Sequence, residues 1–302
     1  MIMDIIGHQS QLAQLKQELA KNLAHAYLFS GPKAVGKFTS ALWFAEQLIG
    51  QPFTLTHPDI HVVDKLWIDT QQDNWDDIAS SSNNPQKHRA KKPTAKTDTI
   101  TLDDIHALQE QLHRSPNGPH RVCIIKNVQR LNTSAANALL KTIEEPPPKL
   151  IFILTTSSPQ QLLETIVSRC RIVQFGKAAD NEINNLLQTI NPASHQFVKD
   201  IANGAPGIVM RCIDEQYLAK QQELYQAAAK FFTSNRPNER LEALKNLSVK
   251  GEDQHNFIEY LWLHAKKNNA DTVAVKALTK ITAALKTNTS KDVITAYMLQ
   301  CQ

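Results

Sequence analysis

Cysteine and glycine are both scarce in this sequence, and each shortage excludes a class of protein. The 302 residues include four cysteines, Cys123, Cys170, Cys212 and Cys301, and no two of them form a C-x-x-C pair. Neither a zinc cage nor a disulfide framework is therefore indicated, and a reduced compartment fits. The nine glycines are about half the number expected from their usual frequency of roughly 7%. A chain with so little glycine is expected to be rich in helix, and each glycine needs a structural reason.

Long apolar runs and a large charge excess are absent as well. No run approaches the roughly 20 apolar residues that span a bilayer, and the opening MIMDIIGHQSQ lacks the pattern of a signal peptide. The formal charge of +4 is too small for a chain that coats nucleic acid along its whole length. With 42% hydrophobic residues the chain can bury cores in about two or three domains. We expect an ordered, soluble protein of the cytoplasm without membrane contact.

Residues 1–176 alternate between short apolar runs and helical patterns, which is typical of an α/β domain with a parallel sheet. The runs are dense in Val, Ile and Leu without polar alternation, as in strands covered on both faces. The predicted strands are Ala26–Ser30, Ile60–Val63, Val122–Ile125, Leu150–Thr155 and Arg171–Phe175. The predicted helices between them are Gln9–Lys21, Lys37–Leu48, Leu102–His113 and Ser134–Glu144.

Two regions depart from this alternation. Residues 65–98 are polar and charge-segregated, and we interpret them as a long mobile surface insertion. The basic part, 85–98, is either a solvated loop or a cationic segment that contacts DNA phosphates through Lys87, Arg89, Lys91, Lys92 and Lys96. After Gly176 the strand patterns stop and helical patterns follow. We divide this half into a small helical domain, 177–218, and an all-α C-terminal domain, 219–302.

A phosphate-binding loop is indicated by AYLFSGPKAVGKFTSA. The pattern Gly31-x-x-x-x-Gly36-Lys37 follows an apolar strand and opens a helix, so backbone N–H groups and the lysine can surround phosphates. The next position, where a Ser or Thr hydroxyl normally holds magnesium, is Phe38. Thr39 comes one residue late, and a helix turns it about 100° away. The loop either still binds a nucleotide or now only shapes the turn from strand to helix.

The acidic residue of a working ATPase is also missing. Such an enzyme needs a carboxylate at the end of a later strand to hold magnesium. The strand RVCII instead ends in Lys126 and Asn127. For Lys126 we prefer a solvated side chain, with a salt bridge to a phosphate or a nearby acid as the alternative. Together with Phe38, this second loss argues against ATP hydrolysis.

A family resemblance rests on the run NALLKTIEEPPPKLIFILTTSSPQQLLETIVSRCRIVQF, residues 137–175. It resembles the AAA+ module of bacterial clamp-loader subunits, above all the delta prime family of DNA polymerase III. Gly7-His8 and His57-Pro58-Asp59 are similar to the same family, so the resemblance covers most of residues 1–215. It implies an AAA+ P-loop module with a parallel five-stranded sheet, a small helical lid and an all-α C-terminal collar. The four-cysteine zinc module of many relatives is missing here, so no zinc is expected.

The resemblance also implies roles for particular residues. Ser168, Arg169 and Cys170 match the triplet whose arginine reaches into the ATP site of an adjacent subunit as an arginine finger. From the sequence alone, Arg169 and Arg171 would instead complement the end of a helix. Thr155 and Thr156 resemble the polar positions at a strand end that sense the γ-phosphate, or they pair locally.

One further position differs between motor subunits and delta prime subunits of this family. Motor subunits carry a sensing arginine in their second helical unit, and Gly207 stands at that position here, as in delta prime subunits. Arg211, one helical turn further on, is a weaker candidate for that role.

The function implied by the resemblance is that of a non-hydrolysing subunit of the DNA polymerase III holoenzyme. It would join gamma/tau-like motor subunits and a delta-like clamp-opening subunit in a hetero-pentamer that loads the sliding clamp on primed DNA. No cofactor is required, and ATP or ADP is possible at Gly31, Gly36, Lys37 and Thr39. Two alternatives stay open: an active AAA+ clamp-loader ATPase, and a DNA-binding scaffold module.

Overall fold

A computed structural model describes residues 5–54, 57–64, 99–112, 116–233 and 252–267, with 276, 278–280 and 282. The predicted insertion at 65–98 and much of the predicted C-terminal domain lie outside the described residues. The chain divides into two compact units. The first comprises Met1–Thr189 and Ala202–Val209, and the second comprises Ile190–Ile201 and Met210–Gln302.

The first unit contains a parallel sheet in the order β2-β3-β4-β1-β5. Its strands are β1 Ala26–Ser30, β2 Ile60–Val63, β3 Arg121–Ile125, β4 Leu150–Thr156 and β5 Arg171–Gln174. All four pairings are parallel, so the carboxyl ends of the strands meet at one edge of the sheet. The predicted α/β class with a five-stranded parallel sheet is confirmed, and each predicted strand is found with bounds within one residue.

Helices precede, connect and follow these strands along the chain. They are α1 Gln9–Lys21, α2 Lys37–Ile49, α3 Leu102–Leu112, α4 Thr133–Glu144, α5 Glu164–Val167 and α6 Asp180–Leu187. Helix α4 begins where the Asn132 side chain accepts a hydrogen bond of 2.8 Å from the Ala135 backbone N–H. Helix α2 begins at the phosphate loop, after Gly36 at its N-cap.

Each face of the sheet buries a separate apolar cluster, because successive side chains of a strand point to opposite faces. Tyr27 and Phe29 of β1 pack with α2 residues such as Phe44 on one face. Ala26 and Leu28 of the same strand pack with residues of α3 and α4 on the other face. Two covered faces explain the strands without polar alternation, and they make the sheet a rigid base for the loops at its carboxyl edge.

Helices continue after the sheet: α7 His195–Ala202, α8 Pro206–Arg211, α9 Glu215–Thr233 and α10 Glu252–Lys267. Within the second unit, α9 and α10 pack together, and the Gln221 side chain accepts a hydrogen bond of 2.7 Å from the Tyr260 hydroxyl. Of the described helices, none is long and apolar enough to cross a membrane. The predicted domain boundaries at 176 and 218 stay predictions.

Candidate functional site

The phosphate loop connects β1 to α2, and its first glycine lies between two strand ends. The Gly31 N–H donates a hydrogen bond of 3.2 Å to the Thr156 carbonyl oxygen, at the end of β4. A Cβ atom on Gly31 would lie 2.1 Å from the Phe175 carbonyl oxygen, so no larger residue fits there. Gly36 has a φ of 103°, which favours glycine. Both glycines of the predicted motif therefore occupy positions that require them.

The Lys37 side chain folds back onto this loop. Its Nζ donates hydrogen bonds to the carbonyl oxygens of Gly31, at 2.7 Å, and of Pro32. The residue is 7% exposed, and burial lowers the pKa of the ammonium group to about 8. The charge that a phosphate would meet is thus already paired with carbonyl oxygens of the loop itself.

Two residues that are distant in sequence hold the loop from outside. His8 Nε2 donates a hydrogen bond of 2.7 Å to the Val35 carbonyl oxygen. The Gly207 N–H donates one of 2.9 Å to the Ala34 carbonyl oxygen, and a Cβ on Gly207 would lie 2.7 Å from that oxygen. Gly207 is the position where the family resemblance places the sensing arginine of motor subunits. Here a side chain at this position would collide with the loop as it stands.

The ammonium group of a lysine lies next to Phe38, the residue found in place of a magnesium-binding hydroxyl. Lys126 Nζ lies 4.8 Å from the centre of the Phe38 ring and 2.7 Å from Asp64 Oδ2. The other Asp64 oxygen lies 3.1 Å from Arg130 Nη2, and the Asp64 side chain is fully buried. The preferred interpretation of Lys126 as a solvated lysine is therefore wrong, because its ammonium group is bound to a buried carboxylate.

The two predicted sensor threonines are also satisfied locally. Thr155 Oγ1 accepts a hydrogen bond of 3.0 Å from the Asn127 backbone N–H. Thr156 Oγ1 donates one of 2.8 Å to Gln129 Oε1 and accepts one of 3.1 Å from the Ser158 N–H. Both threonines are buried. The fourth predicted polar residue of this site, Thr39, lies half-buried in the first turn of α2.

The Ser168–Cys170 triplet follows α5 and has a different environment. The Arg169 side chain is 37% exposed, and its Nη2 lies 2.7 Å from Glu144 Oε1 at the end of α4. Its Nη1 donates to the Thr165 carbonyl oxygen at 3.1 Å and to Ser168 Oγ at 3.4 Å. Cys170 is half-buried, and burial raises the pKa of its thiol to about 12. The guanidinium group is therefore held by contacts and still accessible.

The alternative expectation for Arg169 and Arg171 is that they complement the end of a helix, and one of them makes such a contact. Arg169 does contact a carbonyl of α5, as a residue that complements a helix end would. Arg171 instead lies 3.0 Å from Glu18 Oε1 of α1. Arg211, the weaker candidate for a sensing role, stacks its guanidinium 4.2 Å from the centre of the Tyr217 ring.

Comparison with known proteins matches residues 7–179 to the family model described as DNA polymerase III, delta subunit. The chain belongs to this family of clamp-loader subunits. The delta prime subunit of Bacillus subtilis is 29% identical over 225 residues, which cover 68% of this chain and 59% of that protein. The tau subunit of the same organism is 30% identical over 212 residues, covering 68% of this chain and 35% of the relative. The chain therefore spans only part of the length of either relative.

A solved structure is similar to this protein over most of the chain. It is that of a DNA polymerase III gamma subunit-related protein of Thermotoga maritima, with 21% identity and a TM-score of 0.48. The match covers 93% of this chain and 80% of that protein.

The His57-Pro58-Asp59 motif has a structural role. Asp59 accepts hydrogen bonds from the backbone N–H groups of Asn117 and Gly118, the latter at 2.8 Å. The same carboxylate lies 3.3 Å from Arg121 Nη2 at the start of β3. A buried carboxylate with several donors stabilises the turn that leads into this strand. Among the described residues, no group of three His, Cys, Asp or Glu side chains is placed to hold a metal ion.

Four contributors to the site were not assigned a role from the sequence: His8, Asp64, Glu144 and Gln129. His8 and Glu144 lie inside motifs on which the family resemblance rests, and this position is the sequence feature that could have indicated them. Asp64 follows β2 as Lys126 follows β3, and these strands are parallel neighbours with Val63 opposite Ile125. Knowledge of the strand order would therefore have predicted the contact between Asp64 and Lys126. Nothing in the sequence pattern indicated Gln129.

Proposed function

We propose that this clamp-loader family member is a delta prime-like subunit that hydrolyses no ATP itself and supplies Arg169 to a neighbouring ATP site. The observation that carries the proposal is the pairing of Lys126 with Asp64 beside Phe38. A magnesium ion needs oxygen ligands, and an aromatic ring and an ammonium group supply none. Among the described residues, the carboxylate that contacts Lys126 is that of Asp64, and it is bound to two cations.

Phosphate and magnesium place different demands on this site. The loop from Gly31 to Lys37 retains the glycines and the lysine that bind phosphate groups, so ATP or ADP fits as a ligand without being required. A metal ion does not fit at the Phe38 and Lys126 positions. A nucleotide bound here would accordingly be held by the loop, and no water would be activated for attack on it.

Arg169 has the properties needed to act on a second subunit. A guanidinium group stays charged at every relevant pH, and its planar fork stabilises the negative charge that develops on a transferred phosphoryl group. Contacts to Glu144 and Thr165 fix the side chain while a third of it stays exposed. Buried functional groups would be unable to reach the nucleotide of a neighbour.

The assembly we propose is a ring of five related subunits. Gamma/tau-like motors would bind and hydrolyse ATP, a delta-like subunit would open the sliding clamp, and this chain would connect nucleotide state to clamp loading on primed DNA. Residues 219–302 would form its collar contact with the other subunits. No zinc site is proposed.

The test is a reconstitution of the loader with Arg169→Ala or Lys37→Ala in this subunit. We expect Arg169→Ala to reduce turnover at the facing ATP site on the order of 10³-fold and to abolish clamp loading. Lys37→Ala should leave both within about twofold, because this loop does no hydrolysis. DNA-stimulated phosphate release and clamp loading on primed DNA are the measurements. Unchanged activity of the Arg169→Ala complex contradicts the finger; ATPase of the purified chain that is lost in Lys37→Ala shows an active enzyme instead.

The DNA-binding scaffold is tested by a deletion. The segment 85–98 lies outside the described residues, so only its composition favours DNA contact. Under our proposal, deletion of 85–98 leaves salt-sensitive DNA affinity of the chain nearly unchanged, whereas a large loss would favour the scaffold.

A further inference from the structure

Glu144 joins two motifs that are separate in sequence. It is the last residue of α4, within LLKTIEEPP, and its Oε1 lies 2.7 Å from Nη2 of Arg169 in the Ser168–Cys170 triplet. Both side chains are partly exposed, Glu144 at 45% and Arg169 at 37%. The contact is therefore available to solvent and to a partner, and the fold does not need it to complete its core.

The remaining contacts of Arg169 define one orientation of the guanidinium group. Nη1 donates to the Thr165 carbonyl oxygen and to Ser168 Oγ, while Nη2 faces Glu144. Each terminal nitrogen carries two N–H groups, so the group keeps donors for a phosphate after these contacts are made. Glu144 thus restrains the side chain without using up its hydrogen-bonding capacity.

We propose that Glu144 is a positioning residue that holds Arg169 ready for the ATP site of a neighbouring subunit. The inference rests on the proposed function of Arg169 and extends it to a second residue. A long, flexible side chain must lose rotamer freedom before it can meet a phosphoryl group, and an existing contact removes part of that cost. Because the pair is exposed, its strength is small, which corresponds to an effect of about two- to fivefold.

A carboxylate next to an arginine can also act in the opposite direction. If its negative charge repelled the incoming phosphate, Glu144 would restrain the finger as a brake, and removing the charge would increase activity. The two roles separate in Glu144→Gln, because the amide oxygen can still accept from Nη2 but carries no charge.

The experiment compares Glu144→Ala and Glu144→Gln in the reconstituted loader, with Glu145→Ala as the control. Glu145 is the adjacent exposed carboxylate, and the described residues give its side chain no ion pair. We expect Glu144→Ala to lower the finger-dependent kcat about two- to fivefold at unchanged KM. Glu144→Gln should restore most of it, and Glu145→Ala should match the unaltered protein. In an Arg169→Ala background, Glu144→Ala should have no added effect.

The outcomes that overturn the proposal are distinct. Full activity of Glu144→Ala, with Arg169→Ala inactive, overturns the positioning role and leaves the finger in place. A rate above that of the unaltered protein in Glu144→Gln shows a brake. Full activity of Arg169→Ala overturns the proposed function and this inference with it. A readout on the free chain is the ¹⁵N relaxation of Arg169 Nε, which should report faster side-chain motion in Glu144→Ala and near-unaltered motion in Glu144→Gln.

Discussion

The phosphate loop and the Ser168–Cys170 triplet differ in where their polar side chains find partners. Around the loop, Lys37, Lys126 and Thr155 are bonded to groups of the same chain, and the Lys37 and Thr155 side chains are nearly inaccessible. At the triplet, Arg169 keeps 37% of its side-chain surface exposed and makes contacts that leave donors unused. The polar groups around the loop have their partners within the chain, whereas Arg169 keeps hydrogen-bond donors for a partner molecule.

Under the proposed function, this difference is how a P-loop module loses hydrolysis and keeps its fold. Glycine is required at position 31 because the Phe175 backbone crowds it, whatever the loop binds. The side chains of Lys126 and Thr155 take part in local ion pairs and hydrogen bonds, which fix the loops at the edge of the sheet. In the assembly we propose, such a rigid module transmits a change at one interface to another without a nucleotide cycle of its own.

The largest expected effect on stability is at Gly31. In Gly31→Ala the new Cβ would meet the Phe175 backbone oxygen at 2.1 Å, so β1 and β5 must separate. We expect the free energy of unfolding, measured in urea, to fall by about 4 kcal/mol or more. Gly36→Ala is the matched control, because only its positive φ is strained and no atom lies within 4 Å of the added carbon. Its cost should be about 1–2 kcal/mol; equal losses would show that crowding at Gly31 is unimportant.

Asp64 supplies the second test of whether the polar side chains around the loop stabilise the fold through partners in the same chain. Asp64→Ala removes a fully buried carboxylate and takes away the anion that Lys126 and Arg130 share. The free energy of unfolding should fall by about 3 kcal/mol. Lys126→Met, which keeps the pair of Asp64 with Arg130 and removes only the ammonium group, should cost less than half as much. An Asp64→Ala protein of unaltered stability would contradict the view that this ion-pair cluster is structural.

Most of the sheet domain could be predicted from the sequence. Strands such as Leu150–Thr156 are dense apolar runs bounded by polar or turn residues, and their ends are therefore sharply defined. The phosphate loop has a fixed spacing, and Gly31 and Gly36 were found at positions that require glycine. Local patterns of this kind depend on neighbours in sequence, so a single sequence reveals them.

The partners of the site residues could not be predicted in the same way. Asp64 and Lys126 are 62 residues apart and meet because β2 and β3 are parallel neighbours, an order that periodicity does not specify. The return of Lys37 to the carbonyl oxygens of its own loop depends on backbone direction within a turn. Gly207 contacts Ala34 through a tertiary approach that leaves no signal other than the glycine itself.

Lys37 provides a test through pH. Its pKa is lowered from 10.5 to about 8 by burial, so between these values the unfolded chain binds more protons than the folded one. Folding stability due to this residue should therefore rise with pH across that window, by about 3 kcal/mol, and be constant below it. The measurement is the difference in free energy of unfolding between the unaltered protein and Lys37→Met from pH 7 to 11. Lys33→Met, at an exposed lysine of the same loop, should show no such rise. A difference that falls with pH would contradict the buried, carbonyl-bound lysine.

The smallest expected effect on stability lies on the other side of the comparison. Glu144→Ala breaks an ion pair between two exposed side chains, and such pairs contribute about 0–1 kcal/mol. Its free energy of unfolding in urea should thus change by less than about 1 kcal/mol, even though we expect the loader activity that depends on Arg169 to fall. A functional loss without a matching loss of stability is the behaviour of a side chain that serves an interface. If Glu144→Ala instead destabilised the chain as strongly as Asp64→Ala, the finger region would be another internally satisfied cluster, and the contrast between the two regions would disappear.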